Sequence, residues 1–239
     1  MSTPNPAMSC RVGSRHVIYT GRMKALIFDF DGLIVDTETT AMQSWRELYA
    51  AHGEELPAES WLTLIGTWDA VWDPRAELEH RLGRVLDWEL LESARAAREL
   101  ELASAQPMLP GVREWLDEAD ALGLLLGIAS SSSRQWVETH LVRLGILERF
   151  SALATRHDVE RTKPDPALYS LACEALDVSP SEAVAVEDSL HGVAAAHGAG
   201  LRVIAVPGPL TSHLDYDEAE LQLPSLEAMS LGEALVSLG

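Results

Sequence analysis

Cysteine is nearly missing from this chain of 239 residues: it has two, Cys10 and Cys173. Two cysteines exclude a disulfide-framed secreted fold, and a reducing cytoplasm fits. No apolar run approaches the roughly 20 residues of a membrane-spanning helix. The stretch before the first apolar run, residues 1–23, lacks the apolar centre of a secretory signal. Positive charge is scarce as well, with 18 Lys and Arg against 37 Asp and Glu, a net charge of −19 and a pI near 4.7. Such a chain repels nucleic acid and anionic membrane surfaces. Any anionic ligand must therefore be drawn in locally, by a metal or a few placed cations. What is present is the mix of a globular protein with a proper core, 47% hydrophobic and 23% charged. The length suits one large domain, or one domain plus an insertion. The expectation is a cytoplasmic monomer or weak dimer that binds neither nucleic acid nor membrane.

The most informative segment is Asp29-Phe-Asp31-Gly32-Leu-Ile-Val-Asp36-Thr37. It follows the apolar run Ala25–Phe28, which reads as a buried strand. Two carboxylates one residue apart at a strand end destabilise a fold unless a cation lies between them or one is protonated. A magnesium ion and a phosphoryl group would supply the reason. With residue frequencies of roughly one in twenty, the pattern arises by chance at fewer than about one position in a million.

Further apolar strand runs follow at Leu124–Ala129, Phe150–Ala154, Ala183–Val186 and Leu201–Val206. Between them lie helical patterns over Gly111–Leu122, Arg134–Leu144, Pro166–Leu176 and Leu190–Ala199, with Gly145 as a stop signal. This alternation predicts an α/β fold, a Rossmann-like doubly wound parallel sheet with helices on both faces. Ligands of such sheets sit at the carboxyl ends of the strands. The boundaries read as a loosely ordered extension over 1–23, a core over 24–37 and 107–239, and an inserted helical cap domain over 38–106. Met23 is a natural alternative start, which mass spectrometry of the native protein tests. The insertion holds five of the seven tryptophans; Trp45, Trp61 and Trp88 read as its core, while Trp68 and Trp72 flank a loop-like stretch.

Each later strand ends in a group suited to phosphoryl chemistry. The second is followed by Ser130-Ser131-Ser132-Ser133, where a hydroxyl and successive backbone N–H groups before a helix can cradle an anion. After the third comes Thr162-Lys163-Pro164, a lysine fixed between turn residues. The fourth ends in Glu187-Asp188, paired acids with hard oxygens suited to magnesium. Histidines His157, His191 and His197 read as structural or solvent-facing, although His191 follows the metal motif.

In this order the motifs resemble the haloacid dehalogenase superfamily, in the branch with a helical cap that includes β-phosphoglucomutase-like enzymes and small phosphatases. The resemblance spans about Met23 to Val206. It implies Asp29 as nucleophile and Asp31 as general acid/base. Lys163 would stabilise the nucleophile and the transferring group, and Ser130, with Ser131 and Gly32, would bind phosphate. It implies Mg2+ held by Asp29, Asp188 and the backbone carbonyl of Asp31, with Glu187 in support. The implied activity is hydrolysis of a small phosphorylated metabolite through an aspartyl phosphate. From the cap loop Thr67, Trp68, Asp69, Trp72 and Arg75 are expected over the substrate. Asp31 speaks against a dehalogenase, which needs no acid for a halide. The absence of lysine between Glu38 and Gln106 speaks against phosphonate cleavage through a cap Schiff base. A mutase of the β-phosphoglucomutase type is the alternative. Its cap histidine and phosphate-binding arginine correspond here to Ala41 and Asp69. A receiver module of a signalling system, which also phosphorylates an aspartate, is shorter and lacks an insertion after its first strand. A regulatory protein without turnover would not need the complete motif set.

Overall fold

The computed structural model describes residues 9–12, 15–18, 23–69 and 71–239, with side-chain surroundings from Met23 onward. The first described elements are a hairpin of β1 (Ser9–Val12) and β2 (Arg15–Ile18), antiparallel with Val12 opposite Arg15. These residues fall within the stretch expected to be a loosely ordered extension, and the rest of that stretch before Met23 lies outside the described residues.

Strand β3 (Ala25–Phe28) leads into four helices: α1 (Thr37–Ala51), α2 (Ala58–Trp61), α3 (Pro74–Leu82) and α4 (Trp88–Ser104). Then alternation sets in: α5 (Val112–Leu122), β4 (Leu125–Ala129), α6 (Arg134–Leu144), β5 (Ala152–Ala154), α7 (Ala167–Ala175), β6 (Ala183–Glu187), α8 (Leu190–Gly198), β7 (Arg202–Ala205), β8 (Leu221–Gln222) and α9 (Leu231–Ser237). The strands β3–β8 form one parallel sheet in the order β5-β4-β3-β6-β7-β8. The chain leaves the central β3 first toward β4 and β5, then crosses to build β6, β7 and β8. That reversal leaves a crevice at the carboxyl ends of β3, β4 and β6.

Side chains alternate across the sheet as the period of two requires. Leu26, Phe28, Leu126, Ile128, Val184 and Val186 face one cluster, with Trp115 and Leu116 of α5, Leu141 of α6 and Leu235 of α9. Ala25, Ile27, Ala183, Ala185 and Ala205 face the other, with Leu168 and Ala172 of α7 and Val193 of α8. Both faces are therefore dry, and a fully buried β3 tolerates apolar residues at every position. Burial of a large side chain contributes about 1.5–3 kcal/mol, so the strand ends that carry the polar groups are held by the most densely buried part of the molecule.

Helices α1–α4 have an apolar cluster of their own, built on Met42, Trp45, Tyr49, Trp61 and Leu78, with Trp72 and Trp88 packed against it. Asp36 caps α1 by accepting from the Thr39 N–H (3.0 Å), so the last acid of the first motif also starts the helical segment. No helix of the described residues is long and apolar enough to cross a membrane.

Candidate active site

The sheet register sets the site. Phe28 is level with Ile128 on one side and Val186 on the other, so the residues that follow these strands share one edge. The Asp29 N–H donates to Val186 O (2.9 Å), which brings Asp29 beside Glu187. The Ser130 N–H donates to Ala154 O (2.9 Å) and fixes the turn after β4.

Lys163 is fully buried and forms ion pairs with Asp29 and, at 2.5 Å, with Glu187 Oε1. It is one of only two lysines in the chain. Burial works against its charge, but the two carboxylates outweigh burial and hold the ammonium above its ordinary pKa. Glu187 is satisfied on both oxygens. Oε1 also accepts from Tyr169 Oη–H (2.6 Å), and Oε2 accepts from Ser189 Oγ (3.2 Å) and the Asp188 N–H (3.2 Å). Burial and the nearby acids keep the Tyr169 phenol protonated, so it acts as a donor.

Asp29, Glu187 and Asp188 each present an oxygen within 4.8 Å of the others. Three carboxylates against one ammonium leave two negative charges when all are ionised, which one magnesium ion would neutralise. Burial pushes Asp29 well above the usual carboxylate range, and Lys163 pulls it back; burial likewise raises Asp188, with Asp29 and Glu187 adding to the effect. Among the described residues no hydrogen bond is made to the Asp188 carboxylate. Its backbone carbonyl is held by Tyr216 Oη (2.6 Å) and Thr211 Oγ1 (3.0 Å). Gly32 has φ +79°, and a Cβ there would lie 2.1 Å from Asp188 Oδ2. The residues therefore fit a hard divalent cation: oxygen donors, excess negative charge, and a turn kept open where a side chain would intrude.

Asp31 lies at the mouth of this cluster. Its Oδ1 accepts from Thr37 Oγ1 (2.8 Å) and from the Trp136 indole N–H (2.8 Å), and its Oδ2 accepts from Ser130 Oγ (3.2 Å). Two further acids face it from the helical segment. Burial first, then the Asp31 charge, pushes Glu38 up to about 8. Burial raises Glu99 of α4, which Arg95 partly offsets.

The loop 65–69 reaches this edge from the helical side. Ser131 Oγ donates to Gly66 O (3.0 Å), and the Ile65 carbonyl lies 2.9 Å from His191 Nδ1. Asp69 accepts from the Thr162 N–H (2.7 Å) and Thr162 Oγ1 (2.9 Å), one residue from Lys163. The Arg156 guanidinium sits 3.8 Å over the Trp68 ring.

The structure thus gathers Asp29, Asp31, Gly32, Ser130, Lys163, Glu187 and Asp188 at one strand edge. Ser131 is tied to the loop, and Thr67, whose Oγ1 accepts from the Asp69 N–H (3.0 Å), braces that loop. Trp68 is 66% exposed at its tip. Trp72 instead packs into the helical cluster. Arg75 is not brought to the edge: it stands at the start of α3, 51% exposed and paired with Asp73 at 3.4 Å. Sequence reasoning missed Trp136, Tyr169, Glu38 and the Asp69–Thr162 tie. Only Glu38, directly after the Asp36-Thr37 signal, carried a readable hint.

Paired acids, a serine and a buried lysine at the carboxyl ends of a parallel sheet define an enzyme that works on phosphate monoesters. Residues 26–206 match the family model of the haloacid dehalogenase-like hydrolases. The chain is 41% identical over 209 residues to the protein YhcW of Bacillus subtilis (strain 168), covering 87% of this chain and 94% of that one. It is 32% identical over 192 residues to the validoxylamine A 7′-phosphate phosphatase of Streptomyces hygroscopicus subsp. limoneus, covering 80% of this chain and 87% of that one. The crystal structure of CbbY from Rhodobacter sphaeroides in complex with phosphate superimposes with a TM-score of 0.71 at 31% identity, covering 90% of this chain and 99% of that one. The chain belongs to the haloacid dehalogenase-like hydrolase family, as its motifs led one to expect.

Proposed function

We propose that the protein is a magnesium-dependent phosphatase that hydrolyses a small phosphorylated metabolite through an aspartyl phosphate on Asp29. The observation that carries this reading is the buried trio Asp29, Glu187 and Asp188 with Lys163 paired to two of them. In the first step a carboxylate oxygen of Asp29 bonds to phosphorus as the bond to the leaving oxygen breaks. The leaving oxygen keeps the electron pair and takes a proton from Asp31. In the second step Asp31, now a carboxylate, takes a proton from a water molecule as that water attacks the aspartyl phosphate, which frees phosphate and restores both acids. Ser130 binds the transferring group, with Gly32 and Ser131 shaping the pocket around it. Lys163 neutralises Asp29 and the phosphoryl oxygens. Magnesium, bound by Asp29, Asp188 and the Asp31 backbone carbonyl, would add positive charge at the phosphoryl oxygens. Glu187, with both oxygens occupied, supports that site by holding Lys163 and the turn amides.

The core comprises 24–37 and 107–239, and 38–106 forms a cap that closes over the substrate. The docked loop 65–69, fastened through Asp69 and Ser131, is the closed arrangement, and it carries Thr67 and Trp68. Asp69 offers a negative charge where the β-phosphoglucomutase pattern has an arginine, which disfavours a second phosphate and hence the mutase. We place the enzyme in the cytoplasm as a monomer or weak dimer.

The test is steady-state phosphate release from a generic aryl phosphate. Magnesium is compared with a chelator, and the native chain with Asp29→Asn. Many turnovers that require both magnesium and Asp29 are expected. Release of at most one phosphate per chain would point to an aspartyl-phosphate switch instead.

A further inference from the structure

Asp31 has two carboxyl oxygens, and only one can face the leaving group. Oδ1 is already occupied: Trp136 Nε1–H and Thr37 Oγ1–H both lie 2.8 Å from it. An indole N–H can only donate. The two donors fill both lone-pair directions of Oδ1, and a proton placed there would have to displace one of them; Oδ2 accepts a single hydrogen bond, so a proton carried by Asp31 belongs on Oδ2. Oδ2 lies 3.2 Å from Ser130 Oγ, on the side where the phosphoryl group binds.

Trp136 is itself well fixed. Its backbone N–H is bonded by the cap residue of α6, Ser133 Oγ (3.2 Å). Its ring meets the ring of the fully buried His140 edge-on, with centroids 4.5 Å apart and planes at 70°. His140 also lies 6.0 Å from the ring of Phe30, the residue between the two acids. One imidazole thus keys the helix that carries Trp136 to the turn that carries Asp31. Half-burial of Trp136 leaves its hydrogen bond shielded from competing water.

We propose that Trp136 is a positioning residue for the acid step: by holding Oδ1 it turns the proton-bearing Oδ2 toward the leaving oxygen. This rests on Asp31 serving as the general acid in the phosphatase reading above. The role predicts dependence on the leaving group. Phenoxide needs its proton as the bond to phosphorus breaks, whereas 2,4-dinitrophenoxide leaves without one.

The experiment compares kcat/KM for phenyl phosphate and 2,4-dinitrophenyl phosphate in the native protein, Trp136→Phe, Asp31→Asn and the double variant. General acid catalysis contributes typically 10²–10⁴-fold, and a misdirected acid forfeits part of it. Trp136→Phe should therefore lose about tenfold or more on phenyl phosphate and less than about threefold on 2,4-dinitrophenyl phosphate. Asp31→Asn should show the same selectivity more steeply, and adding Trp136→Phe to it should cost nothing more. Equal losses on both substrates for Trp136→Phe, or none, overturn the proposal. If Asp31→Asn also shows no leaving-group dependence, it is the acid assignment beneath it that fails. Trp136→Leu, which also lacks the donor, provides the same reading if the Phe variant does not fold.

Discussion

The strand edge and the helical segment over 37–104 solve different problems with different materials. At the strand edge most polar contacts are made between side chains that are buried or half-buried: Lys163 on Asp29 and Glu187, Tyr169 on Glu187, Thr37, Trp136 and Ser130 on Asp31. The helical segment meets that edge mostly through backbone atoms of one loop, the Gly66 and Ile65 carbonyls and the Trp68 N–H, plus the carboxylate of Asp69. Chemistry is thus anchored by charge in a dry interior, where a misplaced group costs several kcal/mol. The loop is held by a few part-buried hydrogen bonds, each worth about 1 kcal/mol.

The contrast can be broken hardest at Lys163. Lys163→Met leaves Asp29 and Glu187 buried without their cation. Urea denaturation should show a loss of about 3–5 kcal/mol, and phosphate release should fall by about 10²–10³-fold. Undiminished stability would mean that the acids do not depend on this lysine.

At Asp188 metal-free stability and the magnesium response should part company. Magnesium at a hundred times its dissociation constant should stabilise the native chain by about 2.7 kcal/mol in thermal melts, and Asp188→Asn should lose that response. Because burial already raises the Asp188 carboxyl, the Asn variant without metal should melt above the native chain without metal. A variant that keeps the full magnesium response would remove Asp188 from the metal site.

Gly66→Ala probes the loop. A left-handed φ of +79° and a Cβ 2.1 Å from Ser189 Oγ oppose the docked arrangement, by about 1–3 kcal/mol. We expect kcat/KM to fall roughly tenfold, the equivalent of 1.4 kcal/mol, with faster amide exchange over 65–69 and an unchanged core. Unchanged kcat/KM would mean that docking of this loop does not limit the reaction.

Arg75→Ala is the smallest change. An exposed helix-start residue should alter stability by less than about 0.5 kcal/mol and leave kcat/KM as it was. A large loss would return Arg75 to the substrate.

The strand edge was legible in the sequence because burial and charge leave opposite marks on a chain. Apolar runs named β3, β4, β6 and β7 almost to the residue, and acids directly after such runs demanded a cation. The helix Arg134–Leu144 was read with its bounds intact, with Gly145 as its stop signal, and the structure adds Ser133 as the cap at its other end. Trp136 escaped because an aromatic within an amphipathic helix pattern reads as core, and its N–H partner lies 105 positions away in sequence. Tyr169 was hidden likewise on the buried face of α7. The two-residue strand β8 is too short for any period to appear. The β1–β2 hairpin went unread although Gly13-Ser14, a pair that tight hairpin loops favour, stands between its strands. The loop ties were out of reach in kind: carbonyls carry no sequence signature, and Asp69 finds Thr162 only once both segments are folded.

The distribution of amines has a practical side. Of the two lysines, Lys163 is sealed inside, while the Lys24 side chain is 60% exposed and paired with Glu182 at 2.8 Å. Lys24 precedes β3, so it marks the end of the sheet opposite the strand edge where the acids gather. Coupling at lysine side chains therefore has a single exposed residue to find, and that residue lies at the end of the sheet opposite the acids. The enzyme can be tethered or labelled there with its working face turned outward.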